Sequence, residues 1–313
     1  MWPLTNAFEL GGLKENEERG PPEKTIPYIK DPITLIVKML AMVPLCAITW
    51  LCYYFDPLET QLAEAKTLGF WVWRIIIRDL LLLVILAGGW EVIVFYSGLT
   101  KKLKPYKYNK KYPDPASNLP REILLSVSTT LMGSFFEVLM LYLYANSRWG
   151  NYYLDILEYP VHSFCWIFLM PFWRDGHFYW IHRAMHPWNK QGIPDVGKFL
   201  YKYVHSYHHQ SYNPTVISGI SMHPVEGFIY ETAAIVPCFF WHHPALILLI
   251  KIQLGVFAFV GHDGHDYPAG GALGHYLHHA YFDCNYGSEN APFDWLFGTF
   301  DDGSILHKNW EKE

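Results

Sequence analysis

The sequence predicts an all-α integral membrane protein, and three observations carry that prediction. Of its 313 residues, 51% are hydrophobic and only 17% are charged, whereas an ordinary soluble domain has about 25% charged residues. Several apolar stretches approach the ~20 residues that a helix needs to cross a bilayer. The 16 histidines all fall at or after His162, which indicates that a polar, functional part follows the first spans.

Four stretches are predicted to cross the membrane. They are Ile33–Phe55, Asp79–Tyr96, Ile123–Ala145 and Val161–Ile181. Two shorter apolar runs, Ile229–Trp241 and Ala245–Val260, are separated by "HHP" and are predicted to form a re-entrant or short helical hairpin. Buried soluble helices are the alternative for these two runs, because neither comfortably reaches spanning length.

The segments outside the apolar stretches set the expected orientation. Residues 1–32 are polar and lack the apolar core of a signal peptide, so they are expected to form a surface arm. The loop at residues 100–121 carries six lysines in "TKKLKPYKYNKKYPDP". Basic loops tend to stay in the cytosol. Counting spans from this loop places all the histidine motifs on the cytosolic side as well.

Several classes of function are disfavoured by what the sequence contains. The net charge of −5 gives no reason to expect a nucleic-acid partner. Neither GxGxxG nor GxxxxGK[ST] occurs, so a nucleotide or flavin site within this chain is not expected. The five cysteines are scattered and form no CxxC pair, which favours reduced packing residues over a disulfide framework.

Three histidine motifs predict a metal site. "HRAMH" carries His182 and His186, "HSYHH" carries His205, His208 and His209, and "HYLHH" carries His275, His278 and His279. Residues three and four apart share one face of a helix, so each motif can aim its imidazoles at one place. Imidazole binds zinc, copper, iron and nickel. Eight histidines exceed the four ligands of a zinc site and therefore predict two metal ions.

Further residues near these motifs are candidates for the same site. His262 and His265, in "GHDGHDYP", are predicted to be metal ligands, although the sequence leaves the share of each open. His223 is either a ligand or the start of a helix, because Pro224 follows it. His177 is expected to support a ligand. No catalytic residue is predicted beyond the metal ligands.

Metal-bound histidines usually donate their second N–H to a carboxylate or carbonyl. Asp263 and Glu226 are the best candidates for that acceptor. Solvated loop acids are the alternative for these two and for the other nearby acids, namely Asp175, Asp266, Asp283 and Asp294. His162, His242, His243 and His307 are expected to be structural or exposed.

These motifs resemble those of the fatty acid hydroxylase/sterol desaturase superfamily. "HFYWIHRAMH", "HSYHHQSYNP", "SGISMHPVEGF", "GHDG" and "HYLHHAYFDCNYG…FDWLFGTFDDG" stand in the family's order and cover about residues 170–303. The run from "HPVEGF" to "NYG" is similar to sterol C5-desaturases, whereas the ending "FGTFDDG" looks like the broader sterol-desaturase branch. Residues 1–120 match nothing specific.

The resemblance implies a fold and a chemistry. The fold is a membrane stem of about four helices beneath a cytosolic helical cap that holds a histidine-rich dimetal site. The implied cofactors are two iron ions, which zinc replaces in some purified proteins, together with O₂. Electrons come from an external donor such as cytochrome b5 with an NAD(P)H reductase. The predicted division of the chain is an arm at 1–32, a stem at 33–160, a fatty acid hydroxylase-like catalytic domain at 161–303 and a tail at 304–313.

The expected function is hydroxylation or desaturation of a lipid C–H bond. A sterol-like substrate is slightly preferred, and a fatty-acyl or sphingolipid substrate stays open. The alternative from another class is an accessory subunit of a larger membrane complex that keeps the fold, with or without the metal site. Metal storage or transport fits less well, because the histidines gather on one side. The expected location is the endoplasmic reticulum if the chain is eukaryotic, with the inner mitochondrial and bacterial inner membranes left open.

Overall fold

The computed structural model describes residues 40–96, 115–149, 152–188, 192–211, 214–264, 273–288 and 292–301. Across these ranges the regular elements are helices, and the nearest approach to a strand is an isolated bridge between Tyr152 and His242. The all-α prediction is thereby confirmed. The predicted arm at 1–32, most of the basic loop and the tail at 304–313 lie outside the described residues.

Five helices precede the first histidine motif or carry it. They are α1 (Met42–Phe55), α2 (Leu58–Glu64), α3 (Phe70–Glu91, continued by a π-helical turn at Val92–Tyr96), α4 (Pro115–Ala145) and α5 (Pro160–Met185). The remaining helices are α6 (Val196–Leu200), a π-helical turn (Tyr201–His205), α7 (Ser206–His209), α8 (Pro224–Glu231), α9 (Ala245–His262), α10 (Leu273–Tyr281) and α11 (Phe293–Leu296). Short 3₁₀ turns at Val216–Ile220, Thr232–Ala234 and Val236–Phe239 join α7, α8 and α9.

The predicted hairpin is the element on which sequence and structure differ most. Its first run, Ile229–Trp241, is the end of α8 followed by two 3₁₀ turns, because Pro237 and the turn residues interrupt regular helix there. Its second run is a continuous helix, α9, which extends two residues beyond Val260. By length and composition, two described helices qualify as membrane spans, Asn118–Ala145 and Ala245–His262. The second of these contains the run Ala245–Val260, for which the sequence predicts one half of a re-entrant or short helical hairpin.

Apolar side chains point outward as well as inward. Trp50 of α1, Val84 of α3, Leu124 of α4 and Phe164 of α5 are each 62–69% exposed. Soluble monomers rarely expose apolar surface over several neighbouring helices. These outward faces therefore support a lipid environment for the bundle.

Four charged side chains meet inside the helix bundle. Lys251 Nζ of α9 lies 2.5 Å from Asp79 Oδ2 of α3 and 2.6 Å from Glu137 Oε2 of α4. Arg78 contacts both of these acids, at 2.8 Å and 2.6 Å. Buried charges are costly unless they are paired, so this buried ion cluster ties α3, α4 and α9 together.

Candidate metal centre

Five buried histidines converge between α5, the segment 201–209 and α10. This first histidine group consists of His182, His186, His205, His209 and His278, and each offers one nitrogen within 4.8 Å of all the others. Nε2 of His205 lies 3.0 Å from Nε2 of His182 and 2.9 Å from Nε2 of His209. The five rings thus point toward one small volume.

Four more histidines form a second group beside the first. They are His208, His262, His275 and His279, again with ligand nitrogens within 4.8 Å of one another. Nε2 of His262 lies 3.2 Å from that of His208, 3.1 Å from that of His279 and 3.0 Å from that of His275. The rings of His209 and His279 are 4.8 Å apart between centroids, so the two groups are immediate neighbours.

The two HxxHH motifs contribute to both groups in opposite ways. In the first motif, His205 and His209 enter the first group and His208 enters the second. In the other motif, His275 and His279 enter the second group and His278 enters the first. Positions four apart are nearly aligned on a helix, whereas adjacent positions are about 100° apart. Each short helix therefore serves two sites at once.

Hydrogen bonds to carbonyl groups fix which nitrogen carries the proton in two histidines of the second group, His262 and His208. Nδ1 of His262 donates to the carbonyl of Ala258 at 2.7 Å, and Nδ1 of His208 donates to that of Ser221 at 3.3 Å. A carbonyl only accepts, and a neutral imidazole has one N–H, so both Nε2 atoms carry lone pairs. Two lone pairs that face each other at 3.2 Å repel, and a cation between them removes that repulsion.

The first group shows the same arrangement. Nδ1 of His182 donates to the carbonyl of Tyr286 at 2.6 Å, and Nδ1 of His278 donates to that of Cys284 at 2.7 Å. Nδ1 of His205 lies 2.6 Å from Glu226 Oε1. These bonds leave the Nε2 atoms directed into the group. His186 is fully buried, and neither of its ring nitrogens has a hydrogen-bond partner.

Burial keeps these imidazoles in the neutral form that binds metal. Desolvation lowers the pKa of His205 to about 3 and that of His208 to about 4. Desolvation also raises the pKa of the Glu226 carboxyl, to about 8. A cation held by His205 would act in the opposite direction on Glu226 and favour its carboxylate.

The spacing and number of the nitrogens fit metal ions. For metal–nitrogen bonds of about 2.1 Å, adjacent ligands at right angles are about 3.0 Å apart, and tetrahedral ligands are about 3.4 Å apart. The close Nε2 pairs measure 2.9–3.2 Å in both groups. Five nitrogens in the first group also exceed the four of a structural zinc site. The nitrogens of each group thus lie close enough together to bind a common metal ion, and the first group offers one nitrogen more than a structural zinc site uses.

A further layer of residues holds the groups in place. It includes Asp294, one of the nearby acids that the sequence offered, and Gly219, which the sequence did not single out. The carboxylate of Asp294 accepts hydrogen bonds from the backbone N–H groups of Tyr286 and Gly287, at 2.8 Å and 2.7 Å. It thereby fixes the Tyr286 carbonyl that orients His182. Gly219 approaches the carbonyl of Ala258 so closely that an added Cβ would lie 2.5 Å from that oxygen. Neither role has a spacing signal in the sequence.

Several residues that the sequence predicts for the site lie outside the two histidine groups. His223 caps α8 by accepting a hydrogen bond from Val225 N–H at 3.2 Å, and it belongs to neither group. Pro224 begins the helix immediately after it, which explains that position. His177 contacts the hydroxyl of Thr232 at 2.9 Å instead. Asp263 accepts a hydrogen bond from Trp90 Nε1 at 2.7 Å. His265 lies outside the described residues.

An apolar cavity adjoins both groups. It has a volume of about 190 Å³, and His182, His205, His208, His262 and His275 form one end of its lining. Its walls are formed mainly by apolar side chains from α3, α5 and α9, including Leu83, Leu86, Phe178, Ile252 and Phe259. Apolar pockets with a few convergent polar groups are typical ligand sites. The cavity connects the histidines with the interior of the helix bundle.

The comparisons with known proteins agree with this geometry. Residues 166–299 match the fatty acid hydroxylase family. This segment belongs to that family. It contains every histidine of the two groups, and the resemblance to the fatty acid hydroxylase/sterol desaturase superfamily is confirmed. The expectation of an O₂-dependent lipid oxidoreductase is confirmed with it.

Relatives extend the similarity beyond that segment. The chain is 28% identical to lathosterol oxidase of Rattus norvegicus over 241 residues, which cover 72% of this chain and 77% of the relative. It is 32% identical to a putative methylsterol monooxygenase of Dictyostelium discoideum, covering 45% of this chain and 52% of the relative. It is 33% identical to a Delta(7)-sterol 5(6)-desaturase of Leptosphaeria maculans, covering 48% and 38% respectively. No solved structure matches the chain.

Proposed function

We propose that this protein is an integral-membrane di-iron oxidase that uses O₂ to hydroxylate or desaturate a lipid. The observation that carries the proposal is the placement of two groups of lone-pair imidazole nitrogens at one end of an apolar cavity. Five histidines would hold one iron, namely His182, His186, His205, His209 and His278. Four would hold the other, namely His208, His262, His275 and His279. His265 stays a candidate ligand.

Iron supplies the redox chemistry that breaks an unactivated C–H bond, and the chain supplies binding and orientation. In hydroxylation, one atom of O₂ enters the C–H bond and the other leaves as water. In desaturation, two hydrogens leave the lipid and both oxygen atoms leave as water. Each reaction consumes two electrons and two protons from outside. We propose cytochrome b5 with an NAD(P)H reductase as the electron source.

The residues of this chain perform three tasks in that scheme. The carbonyls of Tyr286, Cys284, Ala258 and Ser221 and the carboxylate of Glu226 hold the Nδ1–H bonds and so direct the Nε2 atoms. The apolar walls of the cavity bind the lipid and exclude water. The outward apolar faces of the bundle keep the entrance of the substrate within the bilayer.

A sterol-like substrate is preferred, because the names of the relatives given above all refer to sterols. A fatty-acyl or sphingolipid substrate is the alternative. We further propose that the histidine groups face the cytosol, and that in a eukaryote the protein resides in the endoplasmic reticulum.

Lipid profiling of cells tests the function and names the substrate together. Cells that express the wild type should accumulate an oxidised or desaturated lipid, and cells that express His208→Ala should not. His223→Ala is the matched control, because His223 lies outside both groups, and it should behave as the wild type. Identical profiles for all three, from protein that binds zinc alone and stays inactive after iron loading, would favour an accessory subunit.

A further inference from the structure

The short helix α11 and the residue after it present three consecutive large apolar side chains at the surface. Trp295 is 65% exposed, Leu296 is 58% exposed and Phe297 is 49% exposed. Within residues 293–300, Asp294 is the only charged residue, and its side chain is buried. Single exposed apolar side chains are ordinary, whereas a contiguous, uncharged group of them marks an interaction surface.

Contacts on the inner side of α11 hold it in this orientation. An added Cβ at Gly176 of α5 would lie 3.1 Å from the Phe293 ring, and that ring stacks on the ring of Tyr179 at 5.7 Å between centroids. The Asp294 carboxylate accepts hydrogen bonds from the backbone N–H groups of residues 286–287. Because Phe293 and Asp294 are used by these inward contacts, the residues that follow them stay at the surface.

The exposed end of α11 lies against α5. The rings of Phe297 and Trp180 meet edge to face at 4.6 Å between centroids, and Trp180 is itself 52% exposed. We call Trp180, Trp295, Leu296 and Phe297 the tryptophan patch. Two of its four members are tryptophans, and none carries a charge. Tryptophan is enriched at the boundary between water and the hydrocarbon core of a membrane.

The tryptophan patch continues the apolar outer face of α5. Along that helix the side chains of Val161, Phe164, Leu169 and Phe172 are exposed. Leu169 and Trp180 are 11 positions apart on α5, which is about three full turns, so both lie on the same side of the helix. A bilayer that contacts this face of α5 therefore also meets the patch at the end of the face.

The patch lies about one membrane thickness from an aromatic group at the other end of α5. There the rings of Tyr159 and Trp241 are 4.4 Å apart between centroids, immediately before Pro160 begins the helix. Pro160 and Trp180 are 20 positions apart, which corresponds to about 30 Å along an α-helix. The hydrocarbon core of a bilayer is also about 30 Å thick. Trp and Tyr are enriched at both surfaces of that core, and the two aromatic groups have the separation of those surfaces.

We infer that the tryptophan patch inserts into the membrane at the boundary between headgroups and acyl chains, in the leaflet next to the histidine groups. The partner is the lipid itself, because the patch has no charge with which to pair a soluble protein and because it continues the outer face of α5. Trp, Phe and Leu are the side chains that interfacial segments bury in this boundary. The inference rests on the proposed integral-membrane placement and is independent of the proposed chemistry.

The helix α11 thereby connects the membrane surface with the first histidine group. Its outer side contacts lipid, and its Asp294 holds the backbone of Tyr286, whose carbonyl accepts a hydrogen bond from Nδ1 of His182 at 2.6 Å. His182 follows Trp180 by two positions on α5. His182 therefore lies within about one helical turn of the membrane surface, where a lipid can approach it without leaving the bilayer.

Quenching of a fluorescent probe measures this insertion in bilayer nanodiscs that each hold one full-length chain. Leu296→Cys carries the probe, in a background in which the three cysteines that are not buried are replaced by alanine, namely Cys46, Cys52 and Cys165. The lipids carry a nitroxide either near the headgroup or near the end of the acyl chain. The shallow nitroxide should quench the probe about twofold more strongly than the deep one, because interfacial side chains reach only about 5–10 Å into the leaflet.

Iodide in the water and a second probe position separate the outcomes. Quenching by iodide without quenching by either nitroxide would overturn the inference, since the patch then faces water. Protection from iodide and from both nitroxides would also overturn it, since a protein surface then covers the patch. Leu169→Cys is the matched control, about 16 Å from Trp180 along the same face, and its probe should respond more to the deep nitroxide. If the probe at position 169 also escapes both nitroxides, the membrane placement of α5 fails too, whereas escape at position 296 alone contradicts only the inference.

Trp295→Phe provides a test that needs no label. The variant keeps an apolar ring at an exposed position, so it should fold as the wild type does. The difference in fluorescence between wild type and variant is the emission of Trp295. Lipids brominated near the headgroup should quench this emission about twofold more than lipids brominated near the chain end. Equal quenching by the two lipids, or none, would contradict the insertion.

Discussion

His208 and His209 are adjacent in the chain, yet they belong to different histidine groups. Nε2 of His208 lies 3.2 Å from Nε2 of His262, whereas Nε2 of His209 lies 2.9 Å from Nε2 of His205. The bond between these two residues therefore links the two groups directly. A shift of the helix that carries them would therefore disturb both groups at once. For the same reason, a change in the hydrogen bonds that hold one histidine group also affects the other group.

Glu226 positions His205, so its neutral variant should weaken the first group. Glu226→Gln keeps the size of the side chain and removes the charge that favours the Nδ1–H of His205. Loss of the group that accepts the second N–H of a metal-binding histidine typically lowers the metal affinity 10- to 100-fold. The measurement is retention of iron against increasing concentrations of a chelator. Glu64→Gln is the control, since Glu64 pairs with Arg74 at the surface, and equal retention in the two variants would contradict the role of Glu226.

The buried ion cluster should stabilise the bundle as a unit. Lys251→Met leaves Asp79 and Glu137 with one cation fewer, and breaking a buried pair in this way costs about 3–5 kcal/mol of unfolding free energy. Adding Glu137→Gln restores the balance of charge, so the double variant should be more stable than Lys251→Met alone. Denaturant unfolding in detergent measures the free energy of unfolding of the single and the double variant.

An exposed ion pair supplies the comparison for that experiment. Arg74→Met removes the partner of Asp56 and Glu64, whose side chains are 25% and 42% exposed, and should cost at most about 1 kcal/mol. If Lys251→Met costs no more than Arg74→Met, the ion cluster is not a stabilising unit.

His242 should make the protein less stable in acid. Its Nδ1 donates to the carbonyl of Phe240 at 2.8 Å, and its Nε2 lies 3.1 Å from the hydroxyl of Tyr144. Burial lowers the pKa of His242 below its ordinary value of 6.5. Below pH 6.5 the unfolded chain therefore binds more protons than the folded chain. The stability that neutral His242 contributes is fully present above that pH and is lost as the pH falls toward the lowered pKa.

Thermal unfolding between pH 7 and pH 5 tests this expectation. One group of this kind changes the free energy of unfolding by up to about 1.4 kcal/mol per pH unit. His242→Gln retains an acceptor for Tyr144 and cannot titrate, so its stability should fall less steeply below pH 6.5 than that of the wild type. Parallel curves for the two proteins would show that His242 does not titrate on unfolding.

The sequence predicted the main helices and the histidines, because both are local patterns. Apolar length located α4 and α5, and i, i+3, i+4 spacing identified the eight histidines of the three motifs. Spacing could not show that His208 and His278 cross over to the opposite group, since that depends on how α7 and α10 approach each other. It also could not place His223, whose role as a helix cap competes with metal binding for the same side chain.

The buried polar groups were the least predictable part. Glu137 lies within the predicted span Ile123–Ala145, but its partners Arg78 and Lys251 lie 59 and 114 residues away in the chain. The roles of Asp294 and Gly219 arise from backbone atoms that they contact, and backbone atoms have no sequence signature. Long-range contacts of this kind depend on packing and have no periodicity that a single sequence reveals.

Iron content per chain tests the central claim most directly. Protein purified from iron-supplemented cells should contain two irons per chain by elemental analysis, and His208→Ala and His209→Ala should each lose about one while His223→Ala retains both. Iron-loaded chains of His208→Ala and His209→Ala should also give different spectra, because a different site remains in each. Two irons retained in His208→Ala, or no more than one iron in the fully loaded wild type, would contradict the two-site account.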